Sequence, residues 1–250
     1  MTDGAMINQF ELFSRISVHG FVQRRDSGCC SSFSGEAMIW PDMSIPTPGV
    51  TQDADGVRAF LDSAGIPKTL MLQKEDLVEA DFTALSEAFY RPVGEWVNMS
   101  YQTGNTGCER RLFRDDFFVD RINEAGSPYL SQWVEIVASQ LFRGNRLDQR
   151  LVNTMVADKV FALYAGVCEG TLVSTGMSFS GSVTGIYMVA TAGTHQRRGF
   201  GAEILREMLA DIRSAGRGEV FLQSTPAGIK LYQSLGFVER SRSILFYKIK

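Results

Sequence analysis

Apolar residues recur along this chain in two rhythms, and each predicts a different element. At helical spacing they mark residues 6–16, 53–65, 76–90, 115–125, 130–141 and a long stretch around Ile204, Leu205, Met208, Leu209 and Ile212. Asp53 is placed to cap the second of these and Gly65 to end it, while Gly216 ends the long one. In the helix over 76–90, Leu77, Leu85 and Phe89 are expected to face inward, and over 130–141 Trp133, Val134, Val137 and Leu141 share a face. Short apolar runs bounded by turn residues predict strands over 36–40, 69–73, 160–168, 171–179, 183–190, 220–223 and 243–249. Glu169-Gly170 and Gly181-Ser182 separate three consecutive strands, which predicts an antiparallel meander. The strands before and after the long helix are expected to run parallel. Residues 22–35 are rich in Ser, Gly and Cys and read as a loop or exposed ribbon. Pro226 opens a further short helix over 226–235, with Thr225 as its cap.

These patterns predict an α/β (α+β) fold with a mixed, mostly antiparallel sheet flanked by helices. Between residues 93 and 111 the periodicity fades and glycines punctuate polar residues. A domain boundary is placed there, giving an N-terminal α/β domain over 1–110 and a second domain over 111–250.

Composition narrows the function. The chain has 250 residues, 44% hydrophobic and 21% charged, with net charge −3, the profile of an ordinary globular protein. So small a charge gives no electrostatic case for nucleic acid or an anionic membrane as partner. No apolar run is long enough to span a bilayer, and the N-terminal residues lack a basic start and an apolar core, so a cytoplasmic location is expected. Cys29, Cys30, Cys108 and Cys168 form no C-x-x-C pair and only two histidines are present, so no metal site is expected and the thiols are read as free.

The chemistry concentrates at Gln196-Arg197-Arg198-Gly199-Phe200-Gly201-Ala202, between an apolar strand and the long helix. The first turn of a helix exposes unpaired N–H groups at the positive end of its dipole. Glycines let an anion reach that backbone, and Arg197 and Arg198 add charge beside it. The dinucleotide fingerprint fails because Ile204 stands where its third glycine belongs, and no Gly-Lys-Ser/Thr follows to make a phosphate loop of the Walker type. A simple tight turn is the rival reading of the same residues.

This stretch resembles the GNAT superfamily of acetyltransferases, whose pyrophosphate loop reads Gln/Arg-x-x-Gly-x-Gly/Ala; Gln196, Gly199 and Gly201 fit it in order. A second segment, Leu231-Tyr232-Gln233-Ser234-Leu235-Gly236-Phe237, is similar to the family's Leu-Tyr-x-x-x-Gly-Phe. The resemblance covers about half the chain. It implies an acetyl-coenzyme A site. Val189, Ala190 and Thr191 would offer backbone groups to the pantetheine arm, and the N–H groups from Gln196 through Arg197, Arg198, Gly199, Phe200 and Gly201 to Ala202 would hold the pyrophosphate. Tyr232 would protonate the leaving thiolate. Two positions depart from the family: Thr225 replaces an Asn that contacts the coenzyme, and Gly193 replaces a turn Pro. The family has no fixed general base. Glu135, Asp158, Tyr187 and Glu169 are candidates, with Glu135 preferred because its helix borders the acceptor cleft by resemblance and Glu169 discounted because it sits in a turn. His195 adjoins the loop, and His19 has no motif around it.

The first 110 residues alternate strand and helix without a phosphate loop, and are read as a degenerate, GNAT-like half in tandem with the second. The expected activity is transfer of acetyl from acetyl-coenzyme A to a primary amine of a small molecule or peptide, with no metal. A homodimer is an open expectation. The rival readings are a catalytically silent acyl-coenzyme A sensor or subunit and, weakest, a nucleotide-binding regulator.

Overall fold

Helix α1 (Gly4–Val18) begins where the Asp3 carboxylate accepts a hydrogen bond from the Ala5 N–H, and it buries Met6, Leu12, Phe13 and Ile16. The structure, a computed structural model, describes residues 3–35, 40–104, 116–142 and 147–250. The strand expected over 36–40 lies almost wholly outside these residues, as do Cys108 and the boundary expected near residue 110. The remaining elements follow in chain order: β1 (Gln23–Ser27), β2 (Cys30–Ser34), β3 (Met43–Pro46), α2 (Ala54–Leu61), β4 (Thr69–Gln73), α3 (Glu79–Glu87), β5 (Tyr90–Gln102), β6 (Phe117–Ile122), α4 (Leu130–Leu141), α5 (Gln149–Ala157), β7 (Phe161–Cys168), β8 (Thr171–Ser180), β9 (Thr184–Thr191), α6 (Phe200–Ser214), β10 (Glu219–Ser224), α7 (Ile229–Ser234) and β11 (Val238–Lys248).

Two compact units share these elements. The first comprises Met1–Met99, Gln223–Ile229 and Glu239–Lys250; the second comprises Ser100–Leu222 and Lys230–Val238. Within the first, the strand order is β1-β2-β3-β4-β11-β5. Pairs β1/β2, β2/β3 and β4/β11 are antiparallel, and β3/β4, on either side of α2, are parallel. Its core gathers Cys29, Cys30, Val57, Phe60, Leu70, Leu72, Leu85, Tyr90, Ile244 and Phe246. Within the second unit the order is β10-β9-β8-β7-β6. Strands β7, β8 and β9 form the expected antiparallel meander, and β9/β10, on either side of α6, are parallel. Each unit therefore repeats one plan: three antiparallel strands, a crossover helix, a parallel strand, then a short helix. The mixed sheet and the tandem arrangement expected from the sequence are both present.

Helix α2 starts as its sequence dictates. The Asp53 side chain accepts from the Gly56 N–H at 2.8 Å, and Val57 and Phe60 are its buried pair. Replacing Asp53 by Ala removes that cap and is expected to lower stability by about 1 kcal/mol, read as a shift of the urea midpoint at unchanged slope.

Several elements differ from expectation. Where a helix is expected over 115–125, the described residues form strand β6 (Phe117–Ile122); all six of its residues pair with β7, which outweighs the helical spacing of Val119 and Ile122. Residues 90–102 form the long strand β5 where the sequence shows only fading periodicity. Its pattern is masked by Pro92 and Gly94 and by Asn98 and Ser100, both fully buried. Asn98 is satisfied there by the hydroxyls of Ser241 and Ser243, at 2.8 and 3.1 Å. The helix expected over 76–90 is confined to α3. Phe89 adopts φ +64° and is 41% exposed instead of facing inward, and Tyr90 already belongs to β5. Leu141 is likewise exposed at the end of α4. Residues 22–35 form a hairpin whose first strand is exposed and whose second is buried. Helix α5 was not anticipated, and α7 begins at Ile229, three residues later than Pro226; Thr225 instead closes a turn through its carbonyl, which accepts from the Gly228 N–H. Among the described residues Cys29, Cys30 and Cys168 are buried free thiols. No helix among them is long and apolar enough to cross a membrane, and no cluster of His, Cys, Asp or Glu could hold a metal.

Candidate functional site

Strand β9 is irregular where the sequence places the pantetheine contacts. Its register with β8 shifts between Thr175 and Met177, and Met188 takes a left-handed φ of +53°. Two residues of β9 therefore face one of β8, which bends the strand and re-aims its backbone. The Thr175 hydroxyl donates to the Met188 carbonyl at 2.9 Å and fixes the bulge. On the other side, the parallel ladder with β10 has three steps, Thr184/Val220, Gly185/Phe221 and Ile186/Leu222. It ends five residues before β9 does, so the segment with Val189, Ala190 and Thr191 runs on past the ladder. Ala190 is buried, and Val189 and Thr191 are half-buried.

Beyond Thr191 a short 3-10 turn, Gly193–His195, leads into the glycine loop. Arg197 sits at φ +59° and Gly199 at φ +91°, two left-handed residues just before α6. Gly199 is the N-cap of α6 and has no side chain to cap it. Its carbonyl accepts from the N–H groups of Ala202 and Glu203, at 2.9 and 3.2 Å. The N–H groups of Gln196, Arg197, Arg198, Gly199 and Gly201 donate to no backbone carbonyl among the described residues. A row of undonated N–H groups at a helix N-terminus is an anion cradle. Arg197 and Arg198 are exposed beside it, with the Arg198 guanidinium 5.2 Å from the centre of the Phe200 ring.

Three contacts hold this loop. Phe200 is fully buried and packs on Phe117, Cys168 and Val173, so its side chain anchors the start of α6 and is not itself a ligand group. Gln196 donates from its side-chain amide to Gln140 Oε1 of α4 at 2.8 Å and to the Thr191 carbonyl at 3.3 Å. Gly201 allows the third: a Cβ there would lie 3.4 Å from Thr191 Oγ1 and 3.5 Å from a Leu231 methyl, so α6, the end of β9 and α7 close on one another at this point. Deeper in α6, a Cβ on Gly176 of β8 would collide with Met208, which is why the strand carries glycine opposite the bulge.

Leu231, the residue before Tyr232, is the part of the Leu-Tyr-x-x-x-Gly-Phe motif that meets the loop. The rest of that motif has a packing explanation. Gly236 takes φ +93° and ends α7; the Leu235 and Phe237 N–H groups both donate to the Tyr232 carbonyl. Phe237 is then folded under the helix, its ring edge-on to Tyr232 at 5.7 Å and 5.3 Å from Tyr101. Burial pushes the Tyr232 phenol up to about 12, and its hydroxyl has no hydrogen-bond partner among the described residues. A protonated phenol is thus held by its ring with its O–H uncommitted.

The other sequence candidates lie differently. Glu135 is exposed on α4, on the side opposite the buried Leu130, Trp133 and Val137. Asp158 ends α5, Glu169 sits in the β7–β8 turn at φ +50°, and Tyr187 is half-buried on β9. His195 shares a 2.9 Å hydrogen bond with Thr194. Thr225 is exposed and belongs to the first unit. Sequence reasoning missed Gln140 and the Thr175–Met188 tie. The interior glycine of β8 was an available signal for the second, whereas a Gln on a helix 56 residues upstream carries none.

The meander, the bulged strand, the glycine loop and the crossover helix together make the fold of the GCN5-related N-acetyltransferases, or GNAT proteins. More narrowly, residues 164–245 match the family model described as FR47-like protein, a GNAT-related family. A GCN5-related N-acetyltransferase from Kribbella flavida superposes over the whole chain with a TM-score of 0.75, at 14% identity and 97% of its own length. A tandem GNAT protein from the clavulanic acid biosynthesis pathway superposes over 87% of this chain and 77% of its own, at 10% identity and a TM-score of 0.59. A further GCN5-related N-acetyltransferase, from Sphaerobacter thermophilus, covers 71% of this chain and 58% of its own, at 15% identity and a TM-score of 0.56. No curated protein matches the sequence. At these identities the likeness is one of fold.

Proposed function

We propose that this protein is an acetyl-coenzyme A-dependent N-acetyltransferase acting on a primary amine of a small molecule or peptide. The observation that carries the proposal is the set of N–H groups at Gln196, Arg197, Arg198, Gly199 and Gly201 that donate to no backbone carbonyl among the described residues, with two arginines among them and set at the end of a bulged strand whose parallel ladder has ended. The loop matches a pyrophosphate in charge and in donor number. The strand backbone beyond the bulge suits an extended amide-bearing arm, and on this reading its thioester end would lie toward Tyr232.

On this reading the acetyl group passes directly from sulfur to nitrogen. The amine nitrogen attacks the thioester carbonyl, a C–N bond forms, and the tetrahedral adduct collapses with cleavage of the C–S bond. Backbone N–H groups of β9 stabilise the oxyanion. A phenol near 12 is a weaker acid than a thiol near 8.5, so Tyr232 serves best as a hydrogen-bond donor to sulfur as charge develops there. The proton shed by the amine then completes the thiol. Because Glu135 faces solvent, that proton is better assigned to water than to this residue.

Calorimetry with coenzyme A and acetyl-coenzyme A, followed by a thiol-release assay over a panel of amines, tests the proposal. Micromolar coenzyme binding with turnover on some amine supports it. Absence of binding removes it, and binding without turnover on any amine leaves the silent acyl-coenzyme A module as the better reading. Gln140→Ala frees the Gln196 side chain, and is expected to weaken coenzyme A binding several-fold, by about 0.5–1.5 kcal/mol for one lost hydrogen bond. The same substitution made on Gln196→Ala should then add little, which a double-mutant cycle by calorimetry checks.

A further inference from the structure

The first unit contains a cavity of about 360 Å³ that the proposed acetyl transfer leaves unused. It opens at the carboxyl ends of the parallel strands β3 and β4: Pro46 ends the first, Gln73 ends the second, and residues 47–52 connect to α2. Ligands of open α/β sheets bind at this position, beyond the carboxyl ends of parallel strands. Because each unit repeats one plan, the cavity is the topological counterpart of the β9–α6 loop.

Its chemistry is opposite in sign. The N-terminus of α6 is uncapped and has two arginines before it. The N-terminus of α2 is already closed by its own Asp53 carboxylate, and Asp55 occupies its first turn. A phosphate brought there would meet two carboxylates and a helix end already satisfied.

The lining instead offers a carboxylate and neutral polar groups, namely Asp76, Gln73, Gln52, Thr47 and Thr51. Asp76 forms no ion pair among the described residues; neighbouring Lys74 is committed to Glu95 at 2.8 Å. Asp76 accepts one hydrogen bond, from Gln52 Nε2 at 2.9 Å. Gln52 is itself held, its Oε1 accepting from the Gln73 N–H at 3.2 Å, so the carboxylate is positioned by a buried side chain. Gln73 is 7% exposed, yet its side-chain amide has no hydrogen-bond partner among the described residues. The residue lines the cavity, so its amide is available to a ligand there.

We propose that this cavity binds a small hydroxylated ammonium compound, its ammonium group against Asp76 and its hydroxyl against the Gln73 amide. A dedicated cation contact of this kind gives the first unit a ligand of its own in place of the phosphate its fold position would otherwise take.

Ethanolamine is the probe, with ethylene glycol as its uncharged counterpart and inorganic pyrophosphate as the anion. Titrations of the full chain are followed through the side-chain NH₂ signals of Gln52 and Gln73 in ¹⁵N–¹H spectra. Ethanolamine is expected to shift both in a saturable manner at millimolar concentration, and ethylene glycol and pyrophosphate to leave them in place. Asp76→Asn, at an exposed position, should weaken ethanolamine by roughly tenfold, and Gln73→Leu should abolish the preference for ethanolamine over methylamine. Unmoved signals, equal affinity in Asp76→Asn, or shifts caused by pyrophosphate would each overturn the proposal. Coenzyme A binding is measured in the same samples; it belongs to the other unit and is expected to be unchanged in both variants, so either reading can fail without the other.

Discussion

Replacement of Gly199 by glutamate is expected to abolish coenzyme A binding while leaving the protein folded. Two effects act together. Gly199 holds φ +91°, a conformation that costs an L-residue about 1–2 kcal/mol, so any side chain presses the loop toward a different path. The carboxylate then stands at the N-cap, where it can take the N–H groups of the first turn of α6 for itself and repel a pyrophosphate. Loss of even one or two charge-assisted hydrogen bonds amounts to about 3 kcal/mol, or roughly 100-fold in affinity. Calorimetry reads the affinity, and urea denaturation separates it from stability. Gly199→Ala is the graded control: it brings the strain without the charge, so a smaller loss is expected. The variant folds because Phe200, which anchors the start of α6 in the core, is untouched. Glutamate at 199 with wild-type affinity for coenzyme A would mean that the loop is a turn and nothing more.

The second large effect is expected at Tyr232. Tyr232→Phe removes one oxygen, and that hydroxyl has no partner among the described residues, so the ring contact with Phe237 and the fold should both survive. Stability and coenzyme A affinity should change little. The turnover number should fall by about 10²- to 10³-fold, the usual range for losing one hydrogen-bond donor to charge that develops in the transition state, with little change in KM for the amine. The pH profile offers an independent check. Tyr232 acts in its protonated form, and burial raises its pKa to about 12, so its contribution is lost only as pH rises through that value. An ordinary phenol would begin to fail near 10. The wild-type rate should therefore rise with pH as the amine deprotonates and hold its plateau past pH ~10. A fall centred near 10, or a phenylalanine variant with full turnover, would remove Tyr232 from the chemistry.

How much of this was written in the sequence depends on the range of the interaction involved. The glycine loop, the crossover helix α6 and the Leu-Tyr-x-x-x-Gly-Phe segment were legible because each rests on local rules. Gly199 and Gly236 occupy left-handed conformations that close or open helices beside them, and the stripe from Ile204 to Ile212 reports one buried face. The meander was legible because its strands are joined by tight turns, at Glu169-Gly170 and Gly181-Ser182, that force antiparallel neighbours. Asp53 was legible as a cap because the carboxylate and the N–H it accepts from lie three residues apart.

Tertiary structure alone decided the rest. Strand β5 buries Asn98 and Ser100, which look like loop residues until Ser241 and Ser243, more than a hundred residues later, satisfy Asn98. Residues 117–122 became a strand because β7 offers them a complete ladder, and a ladder partner 46 residues or so away leaves no local trace. The Gln196–Gln140 tie, the outward face of Glu135 and the cavity between Gln73 and Asp76 likewise depend on which segments meet. The amino-acid sequence by itself determined where the backbone turns, where a helix begins and which loop leaves its N–H groups without backbone acceptors, since steric and capping preferences act over a few residues. Which side chains those groups work beside was settled by long-range pairing and packing, whose energy is shared among partners that no local window contains.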